Sequence, residues 1–112
     1  MSWDRLRLDN VKTLVVDGDS ASANMMLDMM RGLGFTSVKL VENANAAFGL
    51  LDGGDFDLCL CDAQLPDMSG ADFTRAVRAR PAPSRFLPLL MLIGYAAQTQ
   101  VTALRDAGAH LV

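Results

Sequence analysis

An apolar run closed by a lone acid constrains this chain most. Residues 56–70 read FDLCLCDAQLPDMSG. Phe, Leu and Cys fill positions 56–61, interrupted only by Asp57, which is the composition of a strand buried on both faces. Asp62 ends the run. A loop containing Pro66 and Gly70 follows, and then a helix begins. A carboxylate just past the carboxyl end of such a strand stands where open α/β sheets bind their ligands.

The rest of the chain repeats that plan. VKTLVVD at 11–17 reads as strand 1, with Asp17, Gly18 and Asp19 at its carboxyl end. Ser20 or Asp19 caps a helix that runs to about Gly32 and presents Ala23, Met26 or Leu27, Met30 and Leu33 on one face. Gly32 and Gly34 end it. Residues 35–41 form strand 2. Asn43 or Asn45 caps a short second helix through Leu51, weakened by about 1 kcal/mol at Gly49. Gly53 and Gly54 stop it, and strand 3 begins at Phe56. Helix 3 covers about 69–80, where Ser69 and Asp72 resemble a capping box. Pro81 and Pro83 break it. Residues 87–93 are strand 4, 97–107 helix 4 closed by Gly108, and 110–112 a fifth strand.

Strictly alternating strands and helices give a parallel sheet with right-handed crossovers and helices on both faces. The predicted fold class is α/β: a flavodoxin-like, doubly wound parallel sheet in the order 2-1-3-4-5. That order sets strands 1 and 3 side by side at the switch point. With neighbouring strands about 4.8 Å apart, Asp17 and Asp62 end close together at one rim, with Asp19 on the adjacent loop.

Composition narrows the function classes. At 112 residues, 51% hydrophobic and 21% charged, the chain is sized for one globular core. Residues 1–10 are a short leader whose Trp3, Leu6 and Leu8 can pack on the domain edge; residues 11–112 are the domain. The leader is charged throughout and lacks an apolar signal core, and no run approaches a membrane span. A cytoplasmic protein is expected. The net charge of −3 argues against a broad basic face for nucleic acid. Cys59 and Cys61 share one strand face and read as buried core thiols in a reducing compartment. His110 reads as an edge or solvent-facing residue.

Carboxylates converging on one rim repel unless a cation intervenes. Mg2+ suits the spot, because it takes one or two carboxylates with waters and phosphate oxygens. With the ion held by Asp17, Asp62 is free to attack a phosphoryl donor as a carboxylate nucleophile. The alternative is that Asp17 and Asp19 only cap a helix and Asp62 only turns a loop.

From Val11 onward the chain resembles the receiver domain of two-component response regulators, in a layout close to that of single-domain chemotaxis regulators. The matching stretches are LVVD at 14–17, DAQLPDMSG at 62–70, PLLMLIGY at 88–95 and DAGA at 106–109. The resemblance implies a signalling module and not an enzyme. It implies a phosphoacceptor at Asp62, Mg2+ held by Asp17, Asp62 and the backbone carbonyl of Gln64, and Asp19 as a further candidate ligand. It implies a histidine kinase or histidine phosphotransfer protein as donor and a downstream effector protein as partner. Three positions depart from the pattern. Gly18 stands where a second acid is usual. Ile93 stands where a Thr or Ser hydroxyl reports the phosphoryl group, and Val112 where an aromatic ring turns. The family's strand 5 Lys and helix 5 lie beyond the end of this chain. Met25 and Met29, off the core stripe of helix 1, offer an apolar patch for a homodimer.

Two further readings compete with the phosphoacceptor. A pseudo-receiver would keep the fold as a protein-interaction domain without the switch. A flavodoxin-like or hydrolase enzyme would need a phosphate-cradling glycine loop, a nucleophile elbow or a Ser-His-Asp set, and none is present in the sequence.

Overall fold

The computed structural model describes residues 8–93 and 98–111. Trp3, Leu6, Tyr95 and Val112 lie outside the described residues. After a single 3-10 turn at Leu8–Asn10, the elements are β1 (Lys12–Val16), α1 (Ser20–Leu33), β2 (Ser37–Val41), α2 (Ala44–Asp52), β3 (Leu58–Asp62), α3 (Gly70–Arg78), a second 3-10 turn (Ser84–Phe86), β4 (Leu89–Leu92), α4 (Gln98–Ala107) and β5 (His110–Leu111). The five strands are all parallel and lie in the order β2-β1-β3-β4-β5, as the alternation predicts.

Alternate residues of the central strands feed two different cores, because side chains in a strand point to opposite faces in turn. Leu14, Val16, Cys59, Cys61, Leu89 and Met91 meet Ala47 and Leu51 of α2, Phe73 and Val77 of α3 and Leu104 of α4. Val15, on the other face, packs with Met26 and Met30 of α1. Both cysteines are free and fully buried. Desolvation pushes the Cys59 thiol up to about 12 and raises that of Cys61 as well, so neither is reactive near neutral pH. His110 is exposed on the edge strand.

The helix ends follow the capping chemistry of the sequence. Asp19 caps α1, Asn43 caps α2 and Ser69 caps α3, each accepting from a backbone amide of the first turn. Gly34 closes α1 at φ 106°, a left-handed conformation that glycine adopts without penalty. β2, β3 and β4 start at Ser37, Leu58 and Leu89, each two residues later than expected, and two further expectations need correction. Leu33 is 66% exposed and is not a core residue. It is the last helical residue and continues the exposed four-residue spacing of Met25 (65%) and Met29 (60%). Helix 3 ends at Arg78 and not at Arg80. Arg80 turns back toward α2, where it pairs with Asp52, donates to the Phe48 carbonyl and lies over the Phe48 ring.

Arg78 makes a clasp that the sequence does not announce. Its guanidinium donates to the carbonyls of Arg85 (3.1 Å), Leu87 (2.7 Å) and Gly108 (2.9 Å). It thereby joins the end of α3 to the approach to β4 and to the end of α4. Three carbonyl acceptors in two segments suit the planar fork of Arg and not the point charge of Lys.

Candidate functional site

The register of the sheet builds the site. Val16 of β1 pairs with Cys61 of β3, so the next residues, Asp17 and Asp62, emerge level with each other at the carboxyl rim. Asp62 is in turn paired with Leu92 of β4. The backbone N–H of Asp17 donates to Val41 at the end of β2, and that of Ala63 to Leu92. Three strand ends therefore fix the backbone under both acids.

Asp17 is 3% exposed, while Asp62 is half-buried. Burial raises the Asp17 pKa. A hydrogen bond from the Asp19 amide works against that rise, and the nearby carboxylates of Asp62 and Asp19 add to it. The amide of Asp19 donates to Asp17 Oδ1 at 2.9 Å, and the amide of Gln64 donates to Asp62 Oδ1 at 3.2 Å. Among the described residues, the second oxygen of each carboxylate accepts no hydrogen bond. Asp19 itself is turned to α1: its Oδ2 accepts from the amide of Ser22 at 3.1 Å and from its hydroxyl at 2.6 Å, which holds the Asp19 carboxyl below its ordinary range.

This donor set fits Mg2+. Two carboxylates with uncommitted oxygens repel each other across the rim, and a small hard cation that keeps several waters needs no more protein ligands than that. Among the described residues no group of three or more His, Cys, Asp or Glu side chains converges.

The loop after Asp62 is tightly folded. Leu65 N–H donates to Met68 at 3.1 Å, Gln64 and Ser69 form an antiparallel bridge, and Gly70 N–H donates to Ala63 at 2.8 Å. A Cβ on Gly70 would stand 2.8 Å from the Ala63 carbonyl oxygen, so glycine is required where the loop returns to the strand it left. Gly18 is equally constrained. A Cβ there would lie 2.9 Å from Cδ of Pro66 and 3.0 Å from the carbonyl oxygen of Glu42. Ile93 follows Leu92 and is partly buried against the larger core, offering hydrocarbon where a hydroxyl is usual. Val112 lies outside the described residues.

One residue of the site escaped the sequence reading. Asp67 accepts from the amide of Ala44 with Oδ1 and from that of Asn45 with Oδ2, both at 2.9 Å. Both partners are more than twenty positions away, so no local pattern marks the contact. The only hint was an acid next to Pro66 in a loop that already held its catalytic candidate.

Comparison with known proteins agrees with this geometry. The family model for the response regulator receiver domain matches residues 13–112. The chemotaxis protein CheY of Pseudomonas aeruginosa is 33% identical over 100 residues, spanning 89% of this chain and 80% of the relative. The crystal structure of the receiver domain of a sensor histidine kinase from the same organism superposes with a TM-score of 0.80 at 27% identity, covering 90% of this chain and 81% of that one. That structure is described with a magnesium ion coordinated in its active site cleft. The chemotaxis response regulator CheY4 of Vibrio cholerae superposes equally well, at 25% identity and a TM-score of 0.80, over 90% of this chain and 82% of that one. Among the described residues no helix is long and apolar enough to cross a membrane. With the family model matched from β1 to the last residue and a chemotaxis relative aligned over most of its own length, this chain belongs to the response regulator receiver domain family, the signalling modules of two-component systems.

Proposed function

We propose that this receiver accepts a phosphoryl group on Asp62 with Mg2+ beside it, and that it passes the signal to an effector protein. The observation that carries the reading is the shared rim: Asp17 and Asp62 leave adjacent parallel strands at the same level, and among the described residues each keeps a carboxylate oxygen uncommitted. Asp17, Asp62 and the carbonyl of Gln64 would hold the ion. When bound, the ion neutralises the rim and the charge that builds on the transferring phosphoryl oxygens. An oxygen of Asp62 forms the new P–O bond as the bond from phosphorus to the donor breaks, and the donor leaves with that electron pair. The expected donor is a phosphohistidine on a kinase or phosphotransfer protein. Acetyl phosphate serves as a small substitute, with acetate as the leaving group.

Intact-protein mass spectrometry after incubation with Mg2+ and acetyl phosphate tests this. The wild type gains the mass of one phosphoryl group, and Asp62→Asn gains none. A wild type that gains nothing under any donor defeats the reading. It would favour the pseudo-receiver, for which Gly18 and Ile93 already speak: one removes a carboxylate from the rim, the other a hydroxyl.

A further inference from the structure

The acceptor loop is fastened at a point well away from Asp62. Asp67 spans the first two amides of α2, and Asn43 accepts from the third, Ala46, at 2.8 Å. The opening amides of a helix have no partner within it, so a carboxylate that takes two of them is held firmly. These two amides, Ala44 first and then Asn45, keep the Asp67 carboxyl below its ordinary range. The neighbouring Pro66 meets Gly18 so closely that a Cβ at position 18 would force one of them to shift. Leu65, one residue earlier, is buried in the larger core. Loop 62–70 is thus tied to α2 by one side chain and seated on the β1–α1 loop by the next ring.

We infer that Asp67 is a positioning residue for the acceptor: by gripping the start of α2 it keeps Pro66 seated on Gly18 and so fixes the loop that carries Asp62 over the Asp17 rim. The inference rests on Asp62 being the acceptor, but its geometric half stands apart from that.

The test sets Asp67→Ala beside Asn43→Ala. Each removes a side-chain acceptor from the same helix end, so both lower the melting temperature by a similar few degrees. Only Asp67→Ala frees the loop. Two-dimensional amide spectra and phosphoryl uptake from acetyl phosphate, with Mg2+ present, are recorded for both. The Gly18 amide is expected to shift in Asp67→Ala and to stay in place in Asn43→Ala. Uptake slows roughly tenfold or more in the first, as a nucleophile displaced from its attack geometry should, and stays near wild type in the second. Asp67→Asn retains one carbonyl oxygen and falls between, which keeps the comparison usable where the alanine variant does not fold. If the two alanine variants behave alike at Gly18, the positioning role is overturned and Asp67 is only a helix cap. If wild type itself takes no phosphate, the acceptor reading fails, and the Gly18 comparison still decides whether Asp67 seats the loop.

Discussion

Phe73→Ala lowers the melting temperature by ~15 °C or more. Phe73 is fully buried in the larger core and, among the described residues, is the largest fully buried side chain. It stacks on Phe48 of α2 with ring centroids 5.3 Å apart, so it binds α3 to both the sheet and the neighbouring helix. Truncating a buried Phe costs about 3–5 kcal/mol, the lost transfer energy plus a cavity that cannot fully collapse. A domain of this size holds roughly 5–15 kcal/mol in total and loses ~4–8 °C per kcal/mol. Phe86 is the control. It is 68% exposed, and its alanine variant is expected to stay within about 0.5 kcal/mol. Circular dichroism melts of both variants check the pair; a small loss for Phe73→Ala would mean that α3 is not anchored as described.

Asp17→Asn raises stability at neutral pH when Mg2+ is absent. In the folded protein the Asp17 pKa lies above its unfolded value of 3.8, chiefly through burial and then through the carboxylates of Asp62 and Asp19. Between the two values the folded state binds more proton than the unfolded one, so this group's contribution to stability falls as pH rises through that window. Asn carries no charge and escapes the loss. The variant should therefore melt above wild type at pH 7, and the gap should close as pH falls below 3.8, where Asp17 is protonated in both states. Added Mg2+ reverses the order. It stabilises wild type by binding the folded state and does little for a variant that has lost a ligand. Asp19, Asp67 and Asp72 have the opposite sign. Their folded pKa values are lowered, so their contributions are present above the unfolded value and fade as pH drops through the folded one. Comparing Asp17→Asn with wild type isolates the one group from the three.

The sheet was legible because its strands are apolar runs with punctuation that only one layout satisfies. VKTLVVD and FDLCLCD each end in an acid, and a 2-1-3 order puts those acids together. Ser69, Asn43 and Asp19 could be read as caps because capping is local. What stayed hidden depends on partners distant in the chain. Asp67 reaches α2, Arg78 gathers three carbonyls from two segments, and Arg80, just past α3, meets Asp52. Gly18 was visible as a departure from the family pattern, but its close neighbour, the ring of Pro66, belongs to the folded loop. Leu33 was misplaced because hydrophobic spacing cannot tell the core stripe of α1 from the exposed row of Met25 and Met29 that runs beside it.

The central claim is that two parallel strands deliver Asp17 and Asp62 to one rim able to hold a divalent ion. A Mg2+ titration followed by amide NMR tests it most directly. Saturable shifts centred on Gly18, Asp62 and Gln64, lost in both Asp17→Asn and Asp62→Asn, are the result expected. Shifts that never saturate, or that survive both substitutions, would contradict it.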